Sequence, residues 1–220
     1  MKLRELIAIF RAEVDDVAEP YLWTEEDLID YANDAENEAC RRARLLIDST
    51  TTAICQIALL ANTASYALDE RVIFVRRAKL ASSSLPLNRA SVRDLDDSAP
   101  GWDTHTGPVR SYLTDVDTGK LRLYRIPTVV NTLNLIVVRL PLTPMNDIDD
   151  APEIHGRYQR NLRHWMKYRA YSKQDAETLD AKKAAEGMAL FEQEFGKAST
   201  AIDEEWISRE QGYDRYDGTF

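Results

Sequence analysis

Three adjacent acid pairs, Asp15-Asp16, Asp96-Asp97 and Asp149-Asp150, are the residues whose type and spacing come nearest to chemistry. Two close carboxylates can hold a divalent cation or divide acid and base roles between them. Each pair falls at the end of a predicted element or in a loop, with no histidine or third ligand at a useful offset, so they read as solvated caps and turns. The histidines are His105 in a polar loop, and His155 and His164 on a predicted helix. Their separation is not the i, i+4 spacing of a helical metal pair. Cys40 and Cys55 form no CxxC motif and join no histidine cluster, so they read as small buried hydrophobes. No serine stands in a GxSxG context and no glycine-rich phosphate loop occurs. The expectation is a protein with no catalytic residue, no metal site and no cofactor, and therefore not an enzyme.

Two other groupings point to contacts. Residues 154–174 hold Arg157, Arg160, Arg163, Lys167, Arg169 and Lys173 without one Asp or Glu, in a chain of net charge −9. This run reads as a solvated helix face with local pairing, as a contact with an acidic neighbour in the next subunit, or as a phosphate contact. The stretch with Asp147, Asp149, Asp150 and Glu153 could supply the acidic side, within or between subunits. The C-terminal segment carries Trp206, Tyr213, Tyr216 and Phe220 among six acids. Aromatic anchors on such a segment suit a partner's pocket; folding back onto the chain's own helices is the alternative.

The elements that position these groups follow from periodicity. Leu3, Leu6, Ile7, Phe10 and Val14 lie at helical spacing, and Glu19-Pro20 is expected to stop that helix. A second helix opens at Thr24, an N-cap followed by Glu25, Glu26 and Asp27 in the first turn, where acids complement the helix dipole. Leu28, Ala32, Ala35, Ala39 and Ala43 give it a narrow stripe of mostly small residues, expected at a close helix–helix contact and a candidate subunit interface.

Residues 49–143 are β-rich. Strands are expected from Thr50 to Ile57, at Ser65–Leu68, at Val72–Leu80, more weakly at Leu85–Val92, and at Asn134–Leu140. A hairpin runs from Tyr112 through Asp117-Thr118-Gly119 to Ile126. Residues 94–111 read as a long exposed loop displaying Trp102. Helices resume at Pro152 as a first helical position. A further long helix is expected from about Asp180 to Arg209, with Ala184, Met188, Phe191, Phe195, Ala198 and Ile202 forming a seam of period 3.5.

The fold class expected is α+β: a helical bundle built from both chain ends (1–48 and 152–209), an inserted small antiparallel β sandwich or barrel (49–143), and an extended C-terminal tail (210–220). With 44% hydrophobic and 30% charged residues the chain is of ordinary globular composition. It has no apolar run of the ~20 residues that span a bilayer. Its amphipathic N-terminus is not a signal peptide, so it is expected to remain in the cytoplasm where it is made. A net charge of −9 makes it a poor non-specific DNA binder. An acidic wall could nevertheless line a passage through which DNA slides.

The wording FRAEVDD, then PYLWTEEDLIDYANDAENEACRRARLL, resembles the head-to-tail adaptor (connector) proteins of tailed phages, especially the short-tailed type. LRHWMKYRAYSKQDAETLDAKKAAEGMALFEQEFGK and the ending AIDEEWISREQGYDRYDGTF resemble them too, so the likeness covers both ends of the chain. The resemblance implies a structural virion protein, assembled in the host cytoplasm. It implies a homo-oligomeric ring, of twelve in that family, joining the portal to the tail nozzle and extending the DNA channel without specific DNA binding or membrane contact. Trp206, Tyr213, Tyr216 and Phe220 would then bind the portal, and Ala32, Ala35, Ala39, Arg157, Arg160 and Lys167 would meet the neighbouring subunit. A different class remains open: a β-sandwich module binding a host surface or carbohydrate, supported by Trp102 and Tyr112.

Overall fold

The computed structural model describes residues 1–175 and 178–198, which form two compact units. One combines Met1–Leu46 with residues 140–198; the other is Ile47–Arg139. In chain order come helices α1 (Leu3–Val14) and α2 (Glu25–Ala43), strand β1 (Leu46–Asp48), a helical turn α3 (Thr52–Cys55), and strands β2 (Gln56–Leu59), β3 (Ser65–Ala67), β4 (Val72–Leu80) and β5 (Asn88–Arg89). Helix α4 (Val92–Ser98) and strands β6 (Ser111–Leu113), β7 (Lys120–Tyr124) and β8 (Asn131–Arg139) follow. Helices α5 (Gly156–Gln159), α6 (Arg163–Ser172) and α7 (Ala181–Phe195) complete the described chain. The class is α+β.

In the helical unit, α1 buries Leu3, Leu6, Ile7 and Phe10, the stripe its spacing demands. It ends at Asp15, which takes a left-handed φ of 62° and returns its amide to the Arg11 carbonyl. The helix therefore stops before the Glu19-Pro20 corner, not at it. The Thr24 hydroxyl accepts the Asp27 amide at 3.1 Å while the Asp27 carboxylate accepts the Thr24 amide at 3.4 Å, closing a capping box on α2. Trp23, wholly buried, packs edge-on against Phe10 and Tyr171 and donates its indole N–H to the Ala170 carbonyl at 3.2 Å.

Two expectations about the later helices are corrected. Pro152 is not a first helical position: His155 caps α5, whose first residue is Gly156, and a 3-10 turn at Arg160–Leu162 leads into α6. Nor does one helix run from Asp180 to Arg209. Helix α7 stops at Phe195 because Gly196 takes a φ of 86°, outside the helical region and inexpensive only for glycine. Ala184, Phe191 and Phe195 of the expected seam are buried, whereas Ala198 is exposed beyond the helix end. Ile202 lies outside the described residues.

The β unit holds two four-stranded sheets and no barrel. In one, β8 pairs with β1, β2 and β4; the β2 and β4 ladders are antiparallel, with Leu59 opposite Asn131 and Leu80 opposite Leu133. The other has the order β3-β7-β6-β5 and includes a parallel β5–β6 pair, so it is mixed. Leu121 and Leu123 of β7 are buried between more exposed Lys120 and Arg122, the alternation expected of a sheet with one solvated face. Gly119, at φ 70°, makes the turn before β7.

Residues 52–55 are helical, not strand, and little of Leu85–Val92 pairs as a strand. The expected long loop begins instead with α4, capped by Ser91, whose hydroxyl accepts the Asp94 amide at 3.1 Å.

Candidate functional site

Four of the six cations in the run 154–174 are held by acids within the helical unit. Arg163 donates to Glu13 at 2.7 Å, Lys167 to Glu186 at 3.1 Å, and Lys173 to Asp27 at 3.2 Å; Arg169 pairs with Asp34. The acidic stretch before the run is not their intramolecular partner. Its Asp149 instead faces Lys2 and Arg4, and Asp150 accepts the amides of Asn146 and Asp147. Lys167 is thus engaged at home, and its side chain is only 12% exposed. Arg157 and Arg160 face outward, Arg157 lying over the ring of its own neighbour Tyr158. These two are the cations of the run that remain available to something outside the unit.

Ala32, Ala35 and Ala39 have zero exposure and sit in one buried cluster with Leu162, Met166 and Ala170. The small-residue stripe therefore serves close packing inside the chain itself. Trp206, Tyr213, Tyr216 and Phe220 lie outside the described residues.

Trp102 is not displayed. It is 9% exposed, packs with Leu95 and Leu113, and donates its indole N–H to Asp96 at 2.8 Å. Tyr112 is 3% exposed, and burial pushes its phenol pKa up. The two aromatics offered as a ligand platform are core residues, so the carbohydrate-binding alternative loses the residues that suggested it. The acid pairs likewise serve structure: Asp16 is buried against Arg11 and also accepts the Leu22 amide at 2.9 Å. Among the described residues no three His, Cys, Asp or Glu side chains gather to hold a metal, and no helix is long and apolar enough to cross a membrane.

The most tightly held polar groups were not among the residues singled out from sequence. Asp48 and Arg139 form a buried ion pair at 2.7 Å in the β unit. The Asp48 carboxylate also accepts the Thr50 and Thr51 amides and the Thr51 hydroxyl. An Asp followed two and three residues later by threonines is the sequence signature of such a turn. Glu36, 2% exposed on α2, accepts the Ile154 amide at 3.0 Å. Burial pushes its pKa up, and the amides of Ile154 and Glu153 offset only part of that.

A carboxyl whose folded pKa is raised favours folding below its unfolded value near 4.5, and that contribution is lost as pH rises through the folded pKa. Wild-type stability should accordingly decline from pH 4 to 7 relative to Glu36→Gln, which cannot titrate. Urea midpoints for the helical transition at several pH values check this; a constant difference between the two proteins would refute it.

The charges and small residues of the helical unit serve largely to hold its helices together. No curated protein matches the chain. One family, described as SU10 adaptor protein, matches residues 1–215, nearly the whole length. With a mixed α+β fold and a sequence resembling phage connectors at both ends, the chain belongs to the SU10 adaptor protein family and is a structural, adaptor component of the phage virion.

Proposed function

We propose that the protein joins the portal to the tail nozzle as a homo-oligomeric ring, of twelve subunits by likeness to short-tailed phage adaptors, and extends the DNA channel between them. The observation that carries this reading is the family match over residues 1–215, which takes in both units and the C-terminal segment as far as Arg215. The helical unit builds the ring, with exposed Arg157 and Arg160 as its available basic contacts. The β unit projects toward the next tail component. The function is geometric: a wall of net-negative subunits carries the duplex through without holding it, because phosphates meet like charge. Assembly takes place in the host cytoplasm.

The C-terminal segment is the portal anchor in this scheme. Trp206, Tyr213, Tyr216 and Phe220 supply aromatic area of the kind that dominates binding energies. Deleting residues 207–220 should leave circular dichroism and melting nearly unchanged, since the buried clusters described above draw on residues 3–195. It should abolish co-sedimentation with portal rings. Co-sedimentation at wild-type affinity would refute the anchoring role, and loss of folding would assign the aromatics to the chain's own core.

A further inference from the structure

One end of the sheet built on β8 carries four large aliphatic side chains in the open. Leu60 is 59% exposed, Leu85 72%, Val129 66% and Val130 73%. The ladders bring them together: Leu59 opposite Asn131 sets Leu60 beside Val130, and the Ala81 amide bonds to the Thr132 carbonyl, bringing the loop after β4 to the same end.

The loops are tied in this arrangement. The Tyr66 hydroxyl accepts the Leu60 amide and lies 3.1 Å from the Leu60 carbonyl, and the Asn62 amide donates to the Pro127 carbonyl. Asn131 donates to the Ser82 hydroxyl, and the Ser83 hydroxyl accepts the Leu85 amide. These bonds hold the backbone so that the aliphatics stay outside, where each exposes apolar area to water at a free-energy cost.

The same segments are empty of charge. Residues 49–68, 80–88 and 126–138 contain no Asp, Glu, Lys or Arg, in a chain that is 30% charged. Solvated loop tips are ordinarily polar and charged, and exposed apolar patches mark interaction sites. The missing charges also select the partner. Nucleic acid requires Lys or Arg against phosphate. A lipid surface is gripped through basic residues and interfacial Trp or Tyr, and the one aromatic ring here, Tyr66, is buried beneath the loops. Among the described residues a second copy offers only this same patch as a match, and a patch that meets itself closes a two-fold pair and not a ring. Its other exposed apolar side chains include Val17, Tyr21, Leu22 and Leu179, which stand beside acids such as Asp15, Glu19 and Asp180.

We propose that the end formed by Leu60, Leu85, Val129 and Val130 is a docking surface for an uncharged, aliphatic surface on a different virion protein. The inference rests on the adaptor reading and names the chemistry of one of its joints. Because the loops are fixed beforehand, docking requires little ordering of the chain. Because no charge takes part, the contact is insensitive to salt.

The test complements a phage lacking this gene with full-length Leu85→Asp/Val129→Asp protein. The variant should enter particles at the wild-type level while tail completion and plaque titre fall about 100-fold or more, since an unpartnered carboxylate is strongly disfavoured in an apolar contact. Complete tails and wild-type titre would overturn the proposal. Absence of the wild-type chain from purified virions would instead refute the adaptor reading itself. A second arm places the photo-cross-linker benzoylphenylalanine at position 130, changing one exposed side chain, and irradiates virions in low and high salt. Salt-independent adducts with another virion protein support the proposal. Adducts with a second copy of this chain, or none, overturn it even if the double variant fails to fold.

Discussion

Asp48→Ala should destabilise the β unit by about 3–5 kcal/mol, the usual effect of removing one member of a buried ion pair. The substitution withdraws the carboxylate that neutralises the 6%-exposed Arg139, and with it the acceptor for two amides and two hydroxyls in the turn after β1. A typical domain has about 5–15 kcal/mol in all, so the sheet should melt at a markedly lower temperature. Asp48→Ala/Arg139→Met should recover much of the loss, because a buried pair can often be exchanged for apolar packing. Thermal and urea unfolding followed by circular dichroism check both; a single-variant loss below about 1 kcal/mol would show the pair to be dispensable.

The sign of the pH effect follows. Burial alone would raise the Asp48 pKa, but the Thr51 hydroxyl, the Thr50 amide, Arg139 and the Thr51 amide overcome it and hold the carboxyl far below the carboxylate range. Its stabilisation is present above the unfolded value near 3.8 and is lost as pH falls through the folded pKa. The gap between wild type and Asp48→Ala should therefore narrow in strong acid.

Gly187→Leu should disrupt the helical unit, and even Gly187→Ala should destabilise it. A Cβ on Gly187 would lie 2.8 Å from both the His164 carbonyl oxygen and the Tyr168 amide nitrogen, backbone atoms of α6 that no side-chain rotation can move aside. Alanine gains about 1 kcal/mol of helix propensity over glycine. Forcing the helices apart costs about 1–3 kcal/mol, so the net effect of alanine is a loss, and leucine adds more bulk at the same point. Gly156→Ala is the control, because a Cβ there meets nothing within 4 Å. Denaturant midpoints that are equal for Gly187→Ala and Gly156→Ala would refute the close-approach argument.

Gly187 also shows where sequence reading ran out. Glycine inside a helical pattern reads as a local weakness, and its value here comes from residues 164–168, which periodicity cannot place opposite it. Local signals were legible: the Thr24 cap and its acidic first turn, the Val72–Leu80 strand, and the positive φ of Gly119 all depend on neighbours in the chain. Helix α4 was legible too, since Ser91 and Asp94 spell a capping box, but the polar composition of 94–111 masked it. Trp102 and Tyr112 were misjudged because exposure is decided by tertiary packing: Trp102 meets Leu95 and Leu113, and Tyr112 sits in a strand paired to Leu123. The alanine stripe was rightly read as a close helix contact, while the identity of the helix it meets is a long-range fact.

The insertion has a consequence for the order of events at the ribosome. Among the described residues the β unit is one uninterrupted stretch, Ile47–Arg139, and it can close as soon as its last strand emerges. Helices α1 and α2 must wait for α6, since Trp23 needs Ala170 and Tyr171, and Glu36 needs Ile154. At about 5–20 residues per second, the apolar stripe of the first 46 residues stays unsatisfied for many seconds, the interval in which nascent chains are most prone to aggregate. Residues 1–46 are thus made before the β unit and fold after it, and the yield in the cell depends on protection during that delay.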